Sequence, residues 1–168
     1  MHLAQINIGR LLYPIDDPRL GDFVDNLDAI NALAEASPGF VWRLKDDSGN
    51  ATAINAFDDP AIIVNVTVWT SPEALHAFAY QTAHRRFVQR RKEWFHLFGA
   101  PYLALWWVDA GDMPTATEGR ERLEHLTRFG PTPYAFTFRT PFPATKAAPL
   151  ADPIDRDPGQ GEAWRSCG

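Results

Sequence analysis

The chain has 168 residues, a formal net charge of −5, 45% hydrophobic residues and a single cysteine. A chain of this length forms one domain and buries roughly 70% of its unfolded surface, so a core needs no disulfide or metal staple. The lone Cys167 excludes an internal disulfide and a cysteine-rich zinc cluster, and the acidic balance argues against nucleic acid as a partner.

No apolar run approaches the ~20 residues that span a bilayer, and the N-terminus lacks a signal-peptide pattern. A cytoplasmic protein without a membrane partner is therefore expected. His2 to Ile8 alternates as a strand, with Leu3, Gln5 and Asn7 on one face and Ala4, Ile6 and Ile8 on the other. Residues 22–36 place Phe23, Leu27, Ile30, Leu33 and Ala34 on one helical stripe, which Ser37-Pro38-Gly39 ends. A short strand follows at 40–44, then a polar connection over 45–59. The β-branched run 61–69 is the clearest strand. Ser71-Pro72-Glu73 opens a helix, with proline at the first helical position.

The next segment changes register. Leu75, Phe78, Ala79 and Thr82 share one helical face, whereas Tyr80, His84, Phe87, Val88, Arg91, Trp94 and Phe95 share another about 150° away. One straight helix cannot bury both, so a bend is expected near Tyr80–Ala83, with a second helix running to about Phe98. A strand at 102–108, a helix at 115–128 and a short last strand at 134–138 complete the domain. From 140 to 168 the chain carries Pro141, Pro143, Pro149, Pro153 and Pro158 with little apolar periodicity. It reads as an extended or disordered tail, with Trp164 its one large anchor. Domain bounds of 1–139 and 140–168 follow.

The order βαββαβ plus αβ is the split-βαβ, ferredoxin-like plan of an α+β fold, with the first strand between those at 61–69 and 102–108. Helices on one side would leave Ile6, Val66 and Trp106 bare on the other, so a second copy of the chain is expected to cover them as a homodimer.

Several segments carry a resemblance. They are His2-Leu3-Ala4-Gln5-Ile6-Asn7, Asn65-Val66-Thr67-Val68-Trp69, Tyr80-Gln81-Thr82-Ala83-His84, Arg90-Arg91-Lys92-Glu93-Trp94-Phe95, Leu105-Trp106-Trp107-Val108 and the stretch from Gly130 to Phe138. Over about residues 2–138 the chain resembles the bacterial domain of unknown function 3291 family, itself similar to the dimeric α+β barrel superfamily. The resemblance implies a ligand cleft between sheet and helices. Superfamily members include cofactor-independent monooxygenases, haem-degrading enzymes, muconolactone-type isomerases and non-catalytic binders. No family catalytic residues carry over.

Two constellations could carry chemistry. Gln5, Asn7, Asn65 and Thr67 share strand parity with Trp69 and Trp107, so they could line a pocket with aromatic walls, although they could equally satisfy loop backbones. Tyr80, His84 and Arg91 recur at helical spacing, with Trp94 beside them. An imidazole there could shuttle a proton and a guanidinium could hold developing negative charge; a structural His–Arg network is the plainer reading. His96 and His125 read as solvated-face residues, and His76 falls off both stripes. The cations at 85, 86 and 90–92 read mainly as a solvated face. No HExxH or CxxC spacing points to a metal. The expected function is a cofactor-independent enzyme that acts on a small hydrophobic, aromatic or polyketide-like molecule. His84 would move the proton, Arg91 would hold charge and Asn65 would orient a carbonyl in isomerisation, cyclisation or oxygenation. A non-catalytic metabolite binder, or a haem protein ligated by His84, are the alternatives.

Overall fold

The structure is a computed structural model and describes residues 1–145; the expected tail from residue 146 onward, with Trp164 and Cys167, lies outside the described residues. Four strands, β1 (His2–Arg10), β2 (Phe40–Arg43), β3 (Ile62–Trp69) and β4 (Leu103–Val108), form one sheet in the order β2-β3-β1-β4. Each neighbouring pair is antiparallel, and β1 lies centrally as expected. The helices are α1 (Gly21–Val24), α2 (Leu27–Glu35), α3 (Pro72–Gln81), α4 (His84–Arg90) and α5 (Ala116–Phe129). This is an α+β, ferredoxin-like arrangement.

Local chemistry sets the boundaries. Ser71 Oγ accepts the N–H of Ala74 and Pro72 follows it, so α3 starts with a side-chain cap and a residue that needs no amide partner. The break after α3 falls at Thr82, whose backbone is extended. Its hydroxyl donates to the Phe78 carbonyl at 2.6 Å and accepts the His84 N–H at 3.2 Å. One threonine therefore closes α3 and opens α4, inside the interval where the register changes. Thr115 caps α5 by accepting the Glu118 N–H.

Three expectations need correction. First, the helix after the bend ends near Glu93, not Phe98. Beyond it Phe95 bridges Leu11 at the end of β1: Leu12 N–H donates to Trp94 O and His96 N–H to Arg10 O. Burial of Trp94 with Leu11 and Leu20 wins over helix continuation. Second, residues 134–138 form no full strand. Phe136 alone pairs with Leu105, by two backbone hydrogen bonds of 2.8 and 2.9 Å. The packed chain also runs past residue 139, because Phe142 O accepts Trp107 Nε1–H at 2.9 Å and its ring lies 5.9 Å from Phe136.

Third, the face bearing Ile6, Val66 and Trp106 is not bare. All three are fully buried within the single chain, together with Leu123 and Leu126 of α5 and with Phe57 from the 44–61 connection. Gly119 makes the close seat possible: a Cβ there would lie 2.6 Å from Ile6 Cδ1 and 3.2 Å from Ile6 Cβ. The exposed sheet area that argued for a homodimer therefore does not exist. The opposite face packs Leu3, Trp69 and Leu105 against Leu75, Phe78 and Phe136 at one end, and opens into a cleft at the other.

Candidate functional site

The cleft has a volume of about 250 Å³ and lies between the sheet and helices α2, α3 and α4. Its floor comes from β1 and β3, whose register sets Gln5 directly opposite Thr67 and Asn7 directly opposite Asn65. The parity argument from the sequence thus holds, and the four polar side chains form one hydrogen-bonded ladder. Trp69 Nε1–H donates to Thr67 Oγ1 at 2.8 Å, and the Thr67 hydroxyl donates to Gln5 Oε1 at 3.0 Å. Gln5 Nε2 donates to Asn7 Oδ1 at 2.8 Å and to the main-chain oxygen of Asn65 at 3.4 Å. Asn65 Nδ2 also donates to Asn7 Oδ1, at 2.9 Å.

Gln5 and Thr67 are buried and spend their polar atoms inside this ladder, as buried polar groups must. Asn7 and Asn65 are half-buried, at the end that meets the cleft. Asn65 has its N–H directed at Asn7, so the atom it offers to the cleft is an acceptor. A carbonyl oxygen needs a donor, which on this floor is Asn7 Nδ2 or the second N–H of Asn65 Nδ2.

His84, at the start of α4, lines the opposite side. Its ring stacks on Phe78, with centroids 4.7 Å apart. Nδ1 lies 3.3 Å from the Ala79 carbonyl oxygen. A carbonyl only accepts, so Nδ1 carries the proton and Nε2 keeps its lone pair. Burial holds the imidazole pKa below its ordinary value, and the Ala79 carbonyl opposes this only in part. The ring is therefore neutral at pH 7 and able to accept a proton.

Arg91 lines the cleft too, its guanidinium 3.8 Å above the Tyr102 ring. Its neighbour Arg90 points away into ion pairs with Asp22 and Glu93, while Arg85, Arg86 and Lys92 are exposed, so most of the charge run is a solvated face. Tyr80 lies on α3, before the break, and is exposed beside His76 at 4.7 Å. It still borders the cleft with His84 and Arg91, although the three do not share one continuous helix. Trp94 is buried in the cleft wall, near Phe23 and Phe87 at 5.6 and 5.8 Å.

Trp69 and Trp107 lie elsewhere. Trp69 is enclosed by Phe40 and Phe78, and Trp107 faces Phe136 and Phe142, so neither walls the cleft. His125 is a further correction: it is buried, with Nε2 at 2.8 Å from Thr132 Oγ1, not on a solvated face. Sequence reading also missed Asn50, in the long connection. Its amide accepts from Asn31 at 2.7 Å and donates to Asp28 at 3.1 Å, which fastens the connection to α2 at the cleft rim. A loop residue without periodicity carries no signal of such a position.

Among the described residues, no group of three or more His, Cys, Asp or Glu side chains is arranged to hold a metal ion. No described helix is long and apolar enough to cross a membrane. The cleft thus combines an aromatic wall, one neutral imidazole, the Arg91 guanidinium, a second guanidinium from Arg43 that is paired with Glu35, and a floor of Asn7 and Asn65 amides, a set able to bind a flat apolar molecule and remove a proton from it.

No curated protein matches the chain. Among solved structures, it is similar to a protein of unknown function from Nitrosomonas europaea, NE2512 (14% identity, 68% of this chain, 96% of that chain, TM-score 0.44). It is similar to PA3566 from Pseudomonas aeruginosa as well (16% identity, 62% and 88% coverage, TM-score 0.41). A third similar structure is a candidate antibiotic biosynthesis monooxygenase from Chloroflexus aurantiacus J-10-fl (17% identity, 61% and 99% coverage, TM-score 0.34). The family model described as "Domain of unknown function (DUF3291)" matches residues 2–152, and the chain belongs to that family.

Proposed function

We propose that the protein is a cofactor-independent enzyme that removes a proton from a carbon next to a carbonyl in a small, flat, hydrophobic molecule. The observation that carries this reading is the state of His84: a neutral ring with Nδ1–H turned to the Ala79 carbonyl and Nε2 without a partner among the described residues. In the reaction, the substrate C–H bond breaks as Nε2–H forms. The electron pair moves onto the carbonyl oxygen, and the resulting enolate is stabilised by the Arg91 guanidinium and by an N–H of Asn7 Nδ2. Return of the proton to a different carbon gives isomerisation, and attack of the carbanion on a second carbonyl gives cyclisation. With dioxygen as co-substrate, the same carbanion leads to oxygenation. None of these steps needs a metal or organic cofactor.

The test is proton exchange. Fused-ring ketones such as 2-tetralone are incubated with the protein in D2O, and loss of the α-proton signal is followed by NMR. Exchange above the buffer rate that falls at least 100-fold in His84→Ala supports the reading. Equal exchange in wild type and His84→Ala, at unchanged circular dichroism, overturns it.

A further inference from the structure

The ladder on the cleft floor has a direction, and that direction selects a ligand. The indole N–H of Trp69 can only donate and the main-chain oxygen of Asn65 can only accept. Gln5 contacts that main-chain oxygen through Nε2, so its Oε1 must face the Thr67 hydroxyl. With Gln5 oriented, the Asn7 atom that meets Nε2 must be Oδ1, and the Asn65 atom that meets Asn7 Oδ1 must be Nδ2. Asn7 Oδ1 thus receives two donors, and both amides have one polar atom left over. These atoms are Asn7 Nδ2, a donor, and Asn65 Oδ1, an acceptor. Neither has a partner among the described residues, and neither is sealed away from the cleft that both residues line.

We infer that the cleft selects a planar aromatic ligand whose polar edge carries a carbonyl and an adjacent N–H, as in a fused-ring lactam, with Asn7 donating to the carbonyl and Asn65 accepting the N–H. This rests on the cleft being a small-molecule site. It adds to that reading a specificity device whose polarity is set two residues away, by a tryptophan that the ligand never touches. A ligand with two acceptors would leave Asn65 Oδ1 facing a lone pair, and one with two donors would set an N–H against the Asn7 N–H groups. Both mismatches leave a desolvated polar atom unpaired, which is the strong form of discrimination.

One substitution inverts the code without dismantling it. Asn7→Asp keeps the two inward hydrogen bonds, since a carboxylate oxygen accepts from Gln5 Nε2 and Asn65 Nδ2 equally well, but turns the outward donor into an acceptor. Isothermal titration of the intact protein with 1(2H)-isoquinolinone, its N-methyl analogue and 1-aminoisoquinoline reads both states. Wild type is expected to bind the lactam about tenfold more tightly than either of the other two. Asn7→Asp is expected to prefer 1-aminoisoquinoline, whose ring-protonated cation offers donors at both positions, by about tenfold or more. Equal wild-type affinity for lactam and N-methyl lactam, no measurable lactam binding up to its solubility limit, or an unchanged preference in folded Asn7→Asp overturns the inference. The wild-type comparison stands whether or not the variant folds. Proton exchange dependent on His84 without lactam preference overturns this inference alone, whereas lactam preference without exchange overturns only the proton-transfer reading.

Discussion

Thr67→Val removes one oxygen from the middle of the floor ladder while keeping the side chain's shape. Thr67 is buried, and its hydroxyl is both the acceptor for Trp69 Nε1–H and the donor to Gln5 Oε1. Trp69 is fully buried and Gln5 nearly so, which leaves little water to replace either bond. Each group left unpaired costs about 1–3 kcal/mol, partly offset by about 1 kcal/mol for the added methyl, giving a net loss of roughly 1–5 kcal/mol for the two groups, centred near about 3. Thr67→Ser is the control, because it keeps the hydroxyl and loses only a methyl group, about 1 kcal/mol. Urea unfolding followed by tryptophan fluorescence measures both. The valine variant should be the less stable by at least about 1 kcal/mol. A valine variant as stable as the serine variant would show that the ladder contributes nothing net, and with it would go the claim that Trp69 sets the polarity of the cleft floor.

Other consequences are equally direct. Burial places the His84 pKa below its ordinary 6.5, so the unfolded chain takes up this proton first as pH falls. Folded-state stability is therefore complete above pH 6.5 and declines as pH falls through the folded-state pKa. His125 shifts in the same direction, mainly through burial, so His84→Gln should remove part of the decline in thermal melts between pH 7 and 5 and leave the remainder. The acidic limb of the exchange rate should likewise lie below pH 6.5; a limb above it contradicts a buried neutral base. Gly119→Ala gains about 1 kcal/mol of helix propensity but forces Ile6 aside at a cost of roughly 1–3 kcal/mol. Calorimetry should show net destabilisation, and a stabilised variant would mean that α5 is not seated on β1.

The alternation of Leu3, Gln5 and Asn7, the β-branched run at 62–69 and the capping serine and proline before α3 are local signals, and each produced the element it announced. Strand parity alone put Gln5, Asn7, Asn65 and Thr67 on one face, because side chains alternate with period two and register then needs only an even offset. The incompatible helical stripes around residue 82 likewise required a break, since no straight helix buries two faces against one sheet.

What lay outside local pattern went to tertiary packing. The bridge that Phe95 makes with Leu11 depends on Arg10, Leu12 and the aromatic cluster around Leu20, all distant in sequence. The direction of each Asn and Gln amide depends on partners in another strand, which a sequence cannot orient. Trp69 and Trp107 share parity with the polar floor but sit toward the other end of the sheet, and parity says nothing about position along a strand. Cover for Ile6, Val66 and Trp106 came from α5 of the same chain, because Gly119 lets a helix approach close enough to bury them. The sequence by itself determined which residues could share a face; only the folded chain decided which faces met, since that depends on contacts between segments far apart along it.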